Sequence, residues 1–331
     1  MKILVLGGAG YIGSHTVYRL IEQGNEVVIF DNLETGYIEA VHPKAKFYKG
    51  DLRNRVEIDA VLEKEDGIDA VIHFAANSLV GESMINPLKY YDNNLCGTKV
   101  LLESLVAHNI KNIVFSSTAA TYGEPKHTPI LEDDPTNPTN CYGETKKAME
   151  RMFYWTQQAH GLMYVSLRYF NACGAHISGK IGEAHNPETH LIPIILQAAN
   201  GTRDHISIFG TDYNTPDGTC IRDYIHVTDL AQAHILAVKY LLNGGESNIF
   251  NLGNGVGFSV REVIETAKKV TGKEIKVIEE ERRAGDPAIL IASSDKAKNI
   301  LGWKPEYDDL STIIETAWRW HSTHLNGYLS D

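Results

Sequence analysis

The sequence predicts a doubly wound α/β fold with a smaller α/β lobe towards its C-terminal end. Three observations carry that expectation. Short, nearly continuous apolar runs alternate with longer helical patterns through the first half. A glycine cluster sits directly after the first such run. Beyond about residue 171 the strict alternation loosens. Strand–helix alternation with strands apolar on both faces is the mark of a parallel sheet covered by helices on two sides.

The expected strands are 2–6, 27–30, 70–74, 113–116 and 164–168. The expected helices between them are 11–23, 56–64, 94–109 and 141–160. Residues 176–189 are rich in Gly, His and Pro and read as a loop. Helical patterns return at 191–200, 228–242, 260–271 and 310–320, with short strand-like pieces between them. The expected division is a nucleotide-binding domain over 1–171, to which a segment around 222–252 returns, and a second lobe over 172–331. No linker or internal repeat separates them.

Composition narrows the function. The 331 residues are 43% apolar and 22% charged, ordinary values for a globular chain able to bury a large core. A net charge of −11 with no basic stripe argues against nucleic acid as a partner. No run approaches the roughly 18–20 apolar residues of a membrane span, and the N-terminal apolar run is too short for a signal peptide, so a cytoplasmic protein is expected. The four cysteines, Cys96, Cys141, Cys173 and Cys220, form no C-x-x-C pair. They read as buried free thiols, and no metal site is expected.

The first strand runs into Gly7-Gly8-Ala9-Gly10-Tyr11-Ile12-Gly13, and a helix follows. Gly7, Gly10 and Gly13 allow a sharp turn and a close approach to a pyrophosphate, with the free N–H groups of the helix start facing it. The second strand ends at Asp31, eighteen residues past Gly13. An acid there accepts hydrogen bonds from the ribose hydroxyls of NAD and repels the 2′-phosphate of NADP. Together these features read as a Rossmann-type NAD site.

Two Tyr-x-x-x-Lys pairs occur, Tyr122…Lys126 and Tyr142…Lys146. Pro125 opposes a helix through the first. The second opens a helical stretch with Asn140 as its expected cap, so Tyr142 and Lys146 share one helix face. A phenol ordinarily titrates near 10. A neighbouring ammonium and the positive charge of NAD would favour its phenolate, able to take a proton from a substrate hydroxyl. Ser116-Ser117-Thr118 follows a strand at the carboxyl edge of the sheet, where hydroxyls can meet the reacting oxygen.

These residues resemble the extended short-chain dehydrogenase/reductase family, most closely its UDP-hexose 4-epimerase branch. The resemblance spans nearly the whole chain through GGAGYIGSH (7–15), FDNLETG (30–36), KGDLRN (49–54), VIHFAA (71–76), VGES (80–83), YYDNN (90–94), FSSTAATYG (115–123), CYGETK (141–146), LRYFNACGAH (167–176), GTCIRDYIHVTDLA (218–231) and RRAGDPA (282–288). It implies reversible C4 epimerisation of UDP-galactose and UDP-glucose through a 4-keto intermediate, with retained NAD. Tyr142 is then the acid and base, Lys146 positions NAD and tunes Tyr142, and Thr118 assists at the sugar hydroxyl. The resemblance further implies NAD contacts at Tyr11, Ile12, Asp31, Asn32, Asp51, Leu52, Phe74, Ala75, Asn93, Ser116 and Tyr169. UDP-sugar contacts are implied at Asn171, Leu191, Phe209, Arg222, Arg283, Asp286 and Leu290. A homodimer built on the helices 94–109 and 141–160 is implied as well.

Three positions depart from the family's pattern. Ser78 stands where many members carry a cofactor-contacting Lys, and His190 where an Asn often meets substrate. Leu290 replaces a large Tyr found in members restricted to unacetylated sugars, which raises the expectation that UDP-N-acetylglucosamine and its galacto epimer are also admitted. Dehydratases of the family carry Asp-Glu after the Thr, whereas Ala119-Ala120 stand here. A related dehydratase or reductase, and a non-catalytic NAD-sensing module, are the alternatives.

Overall fold

A computed structural model describes residues 1–283 and 286–329. Ala284 and Gly285 of the RRAGDPA run, and Ser330 and Asp331 at the end of the second-lobe range, lie outside the described residues. Seven parallel strands form the main sheet: β1 (Lys2–Leu6), β2 (Glu26–Asp31), β3 (Lys46–Lys49), β4 (Ala70–His73), β5 (Asn112–Ser116), β6 (Met163–Tyr169) and β7 (Asn248–Leu252). Their order is β7-β6-β5-β4-β1-β2-β3. The order reverses between β1 and β4, which opens a crevice at their carboxyl ends.

Both faces of the sheet are buried, which explains the unbroken apolar strands. Ile3 and Val5 point to one face and pack with Val17 and Leu20 of the helix Tyr11–Glu22 and with Leu230 and Val238 of the helix Val227–Leu242. Leu4 and Leu6 point to the other and meet Leu101 and Leu105 of Gly97–Ala107 and Met149 and Phe153 of Cys141–His160. Alternate side chains along a strand face opposite ways, so one short run feeds both layers. Each such side chain fully buried contributes about 1.5–3 kcal/mol.

Two stretches differ from the periodicity. The edge strand β3 has no apolar run to announce it, since only its middle two residues are partly covered. The expected helix over 94–109 begins instead as a π-turn, Tyr91–Cys96, before regular helix over Gly97–Ala107. The side chain of Asn94 accounts for this. It accepts from Asn77 N at 2.8 Å and donates to Asn77 O at 3.1 Å and Thr145 Oγ1 at 3.0 Å, so it is fixed inward and the turn widens around it.

A second core joins the helices Leu191–Asn200, Val260–Thr271 and Leu310–His321 through Ile195, Leu196, Val263, Ile264, Ile313 and Ile314. The paired strands Ile206–Phe209 and Val277–Glu280 close it. The cysteines differ from expectation. Cys173 and Cys220 are buried, but Cys96 is exposed and Cys141 half-buried, because both lie on helical turns whose apolar faces point elsewhere. Among the described residues, no helix is long and apolar enough to cross a membrane.

Candidate active site

One cleft of about 1260 Å³ runs along the carboxyl ends of the strands and continues between the sheet and the second lobe. Its floor is the glycine turn. A Cβ on Gly13 would lie 2.1 Å from Gly7 O, and one on Gly7, at φ 79°, would lie 2.7 Å from Ala75 N. Both glycines are thus required by the turn's own packing. Gly10 differs: a Cβ there would meet only Gly7 O, at 3.4 Å, and Gly10 lines the cleft. The space that its missing side chain leaves belongs to the cleft.

The helix Tyr11–Glu22 starts at Gly10 with no side-chain cap, so its first N–H groups and positive dipole end are available to an anion. Asp31 ends β2 with its carboxylate accepting from Ala9 N at 2.9 Å and Leu33 N at 2.8 Å. Burial raises its pKa while these two bonds oppose the rise. A dinucleotide with an unphosphorylated ribose fits this cradle, the acid and the uncapped helix. Asn32, Leu52, Phe74, Ala75, Asn93, Ser116 and Tyr169 line the same cleft. Asp51 does not. Arg53 grips it bidentately, holding it down to about 2, and Asn32 Nδ2 reaches it at 3.3 Å.

Tyr142 and Lys146 project from the first turns of Cys141–His160, whose start is capped by Asn140 Oδ1 accepting from Gly143 N at 2.8 Å. The Tyr122 pair is not helical; the Tyr122 hydroxyl donates to Asn251 Oδ1 at 2.7 Å in the core. Lys146 is 3% exposed and donates to Ser116 O at 2.8 Å, with its Nζ 5.8 Å from the Tyr142 ring centre. Thr118 accepts from Ala120 N at 3.1 Å and lines the cleft with Tyr142. Ser116 Oγ and Tyr169 Oη are 2.5 Å apart beside them.

The protein's own groups, taken alone, favour the neutral forms here. Burial pushes Tyr142 up to about 12, with the Thr118 hydroxyl opposing. Burial lowers Lys146 to about 7, with Glu150 opposing. Desolvation disfavours every charged form, and the lone ammonium is itself suppressed before it can stabilise its neighbour.

On the second-lobe side, Asn171, Arg283, Asp286 and Leu290 line the cleft. Arg222, Phe209 and Leu191 stand behind it. Arg222 pairs with Asp286 rather than with the adjacent Asp223, whose buried carboxylate is occupied by Asn254 N and Ala292 N. The Arg283 guanidinium lies 3.7 Å from the Phe209 ring centre, covering that face of the ring. Ser78 lies in the wall.

The sequence reading missed three members of one group. Glu183, His185 and Glu188, from the segment read as loop, line the cleft beside His190, already noted where an Asn often meets substrate. His190 Nδ1 is 2.7 Å and His185 Nδ1 3.2 Å from Glu183 Oε1. These carboxylates raise His185 to about 9 and His190 to about 10 against the effect of burial. The spacing Glu-x-His-x-x-Glu-x-His was the available signal.

A family model described as the NAD dependent epimerase/dehydratase family matches residues 3–253. The UDP-glucose 4-epimerase of Halalkalibacterium halodurans is 58% identical over 331 residues, covering 100% of this chain and 98% of that protein. A crystal structure of a UDP-glucose 4-epimerase has a TM-score of 0.98 at 55% identity and covers 100% of both chains. The Bifidobacterium longum UDP-glucose 4-epimerase, solved in complex with NAD+ and UDP, has a TM-score of 0.93 at 39% identity, with 99% of this chain and 100% of that one covered.

Proposed function

The chain belongs to the NAD dependent epimerase/dehydratase family, and we propose from that premise and the cleft that it interconverts UDP-galactose and UDP-glucose at C4. The observation that carries this reading is the convergence of Tyr142, Thr118 and Lys146 beside the glycine cradle in one cleft. Ala119 and Ala120 supply no second acid or base, which disfavours elimination of water.

Bound NAD would supply a reversible hydride acceptor. Gly7, Gly10 and Gly13 with the uncapped helix would hold its pyrophosphate, and Asp31 and Asn32 its adenosine ribose. Asp51 acts through Asn32, while Tyr11, Ile12, Leu52, Phe74, Ala75, Asn93, Ser116 and Tyr169 form the walls. Tyr142 removes the proton of the C4 hydroxyl and later returns it. Thr118 orients that hydroxyl, and Lys146 holds Tyr142 and the cofactor in register. Arg283 clamps the substrate diphosphate directly. Arg222 holds Asp286 against the cleft, and Phe209 and Leu191 back that wall, with Asn171 facing the sugar. Rotation of the 4-ketose between two hydride transfers inverts C4, so no external redox partner is consumed.

The test is conversion of UDP-galactose to UDP-glucose by purified protein with no NAD added. Loss of conversion in Tyr142→Phe supports the reading. No conversion with or without supplied NAD refutes it.

A second reading concerns the sugar's C2 substituent. Leu290 is half-buried and packs against the small cluster of Ala119, Tyr122 and Ile130 beside Thr118. Lacking the bulk of Tyr, it leaves room for an N-acetyl group. Turnover of UDP-N-acetylglucosamine that disappears in Leu290→Tyr supports this, and no turnover by the unaltered chain refutes it. The same reading includes a cytoplasmic location and a homodimer. Leu101, Leu105, Met149 and Phe153 are consumed by the intramolecular core, so the interface would use outer positions of those helices such as Trp155, which is 61% exposed. Sedimentation at equilibrium tests the dimer.

A further inference from the structure

The segment joining Gly182 to the helix Leu191–Asn200 carries Glu183, His185, Glu188 and His190. Each can offer one ligand atom, and these four atoms lie within 4.8 Å of one another. The His Nδ1 to carboxylate oxygen separations are 2.7, 3.2, 3.4 and 3.7 Å. A tetrahedral ion with bonds of about 2.0–2.1 Å to nitrogen and oxygen holds its ligand atoms about 3.3 Å apart, inside that range.

A mutually paired set of ions would be the ordinary explanation, but the directions do not suit it. Glu183 is 3% exposed, and its Oε1 faces both imidazoles. Yet Glu183 Oε1, His185 Nδ1 and His190 Nδ1 are all buried atoms without a hydrogen bond of acceptable angle. Three convergent unsatisfied atoms at one point are costly unless something completes them. A cation does so with one set of bonds. The remaining oxygen contacts are already arranged as a support: Glu188 Oε1 accepts from the backbone N–H groups of Thr189 and His190, each at 2.8 Å.

We propose that Glu183, His185, Glu188 and His190 form a closed four-ligand site for a divalent transition-metal ion, zinc by preference. Two imidazoles and two carboxylates suit zinc and its neighbours and do not suit calcium or magnesium, which take six or more oxygens. With all four positions supplied by protein, the ion is structural and activates no water. It ties residues 183–190 into one unit at the cleft wall, next to Tyr11, whose ring lies 6.1 Å from that of His185.

The experiment uses the whole chain, stripped with a chelator and dialysed against zinc. Elemental analysis should find one zinc per chain. Cobalt(II) in its place should give the intense visible bands of tetrahedral coordination. His190→Ala and Glu183→Gln should each weaken zinc retention by more than the roughly 10–100-fold typical of losing only an outer-shell partner. They should also abolish the tetrahedral cobalt spectrum. Folding of each variant is checked by circular dichroism, and His185→Cys, which keeps a zinc ligand, should retain the metal. Failure of the unaltered chain to bind zinc, or unchanged binding in both ligand-removing variants, overturns the proposal and leaves the cluster an ion-pair network. Metal content and the cobalt spectrum are read without turnover, so the outcome is distinguished from that of the epimerase assay.

Discussion

The glycine turn separates two roles that a motif alone merges, and two substitutions test the separation. A Cβ at Gly13 meets Gly7 O at 2.1 Å, Gly7 C at 2.9 Å and Gly8 Cα at 3.0 Å, all backbone atoms. Ordinary contact begins near 3.4 Å, so the turn must open by 1.3 Å, the difference between 3.4 and 2.1. Overpacking against atoms that cannot rotate away costs about 3 kcal/mol, the upper end of the usual 1–3. Gly10 has φ −79° and ψ 175°, open to any residue, and its Cβ would touch only Gly7 O. There Gly10→Ala gains about 0.4–1 kcal/mol by restricting the unfolded chain and loses a similar amount as a poorer helix cap. Gly10→Ala should therefore unfold in urea within about 0.5 kcal/mol of the unaltered protein when both are stripped of nucleotide. Its methyl group fills the cradle, so NAD affinity by calorimetry should fall at least about tenfold, which is about 1.4 kcal/mol. Gly13→Ala should lose stability first. Unchanged NAD affinity in Gly10→Ala would remove the pyrophosphate from this turn, and unchanged stability in Gly13→Ala would refute the packing argument.

Tyr142→Phe should lower kcat by about 10²–10⁴ with NAD content and circular dichroism unchanged, since only the proton-transferring oxygen is lost. Arg283→Ala should weaken UDP inhibition by about tenfold or more, the equivalent of one charge-assisted hydrogen bond of about 1.5–3 kcal/mol. Lys146 gives a pH signature: its pKa in the folded chain is about 7 against 10.5 for the free group. Between those values the unfolded chain binds the extra proton, so stability of the nucleotide-free protein should rise with pH from about 7 upward. Lys146→Met should lack that rise, and equal urea midpoints at pH 7 and pH 9 for the unaltered chain, once corrected by the variant, would refute the assignment.

The strands β1, β2, β4, β5 and β6 were legible because a buried parallel strand has only apolar neighbours on both faces, and five short runs show it. β3 was not, because an edge strand with two half-covered residues carries almost no pattern. The π-turn at Tyr91–Cys96 escaped for a different reason: its cause is the inward side chain of Asn94, anchored by Asn77 and Thr145, far away in sequence. Glu183, His185, Glu188 and His190 share neither helical nor strand periodicity, and only the path of the loop turns their ligand atoms to one point.

Charge effects were the least legible part of the site. An ammonium beside a phenol lowers the phenol's pKa only if the ammonium stays charged, and sequence does not report burial. In the folded chain both groups are desolvated, and each is pushed towards its neutral form. Glu150 favours the cationic Lys146, yet most of its charge is already met by the bidentate Arg168, at 2.9 and 2.6 Å. The protein by itself therefore holds Tyr142 as a proton donor. A second positive charge in the cleft is needed to make it an acceptor, and in the proposed reaction that charge is present only while the cofactor is oxidised. Proton removal and hydride removal are then tied to the same half of the cycle. A bound oxidised nicotinamide would supply that charge, and Tyr142 would then accept the substrate's proton and, once the charge was lost, hold it ready for return.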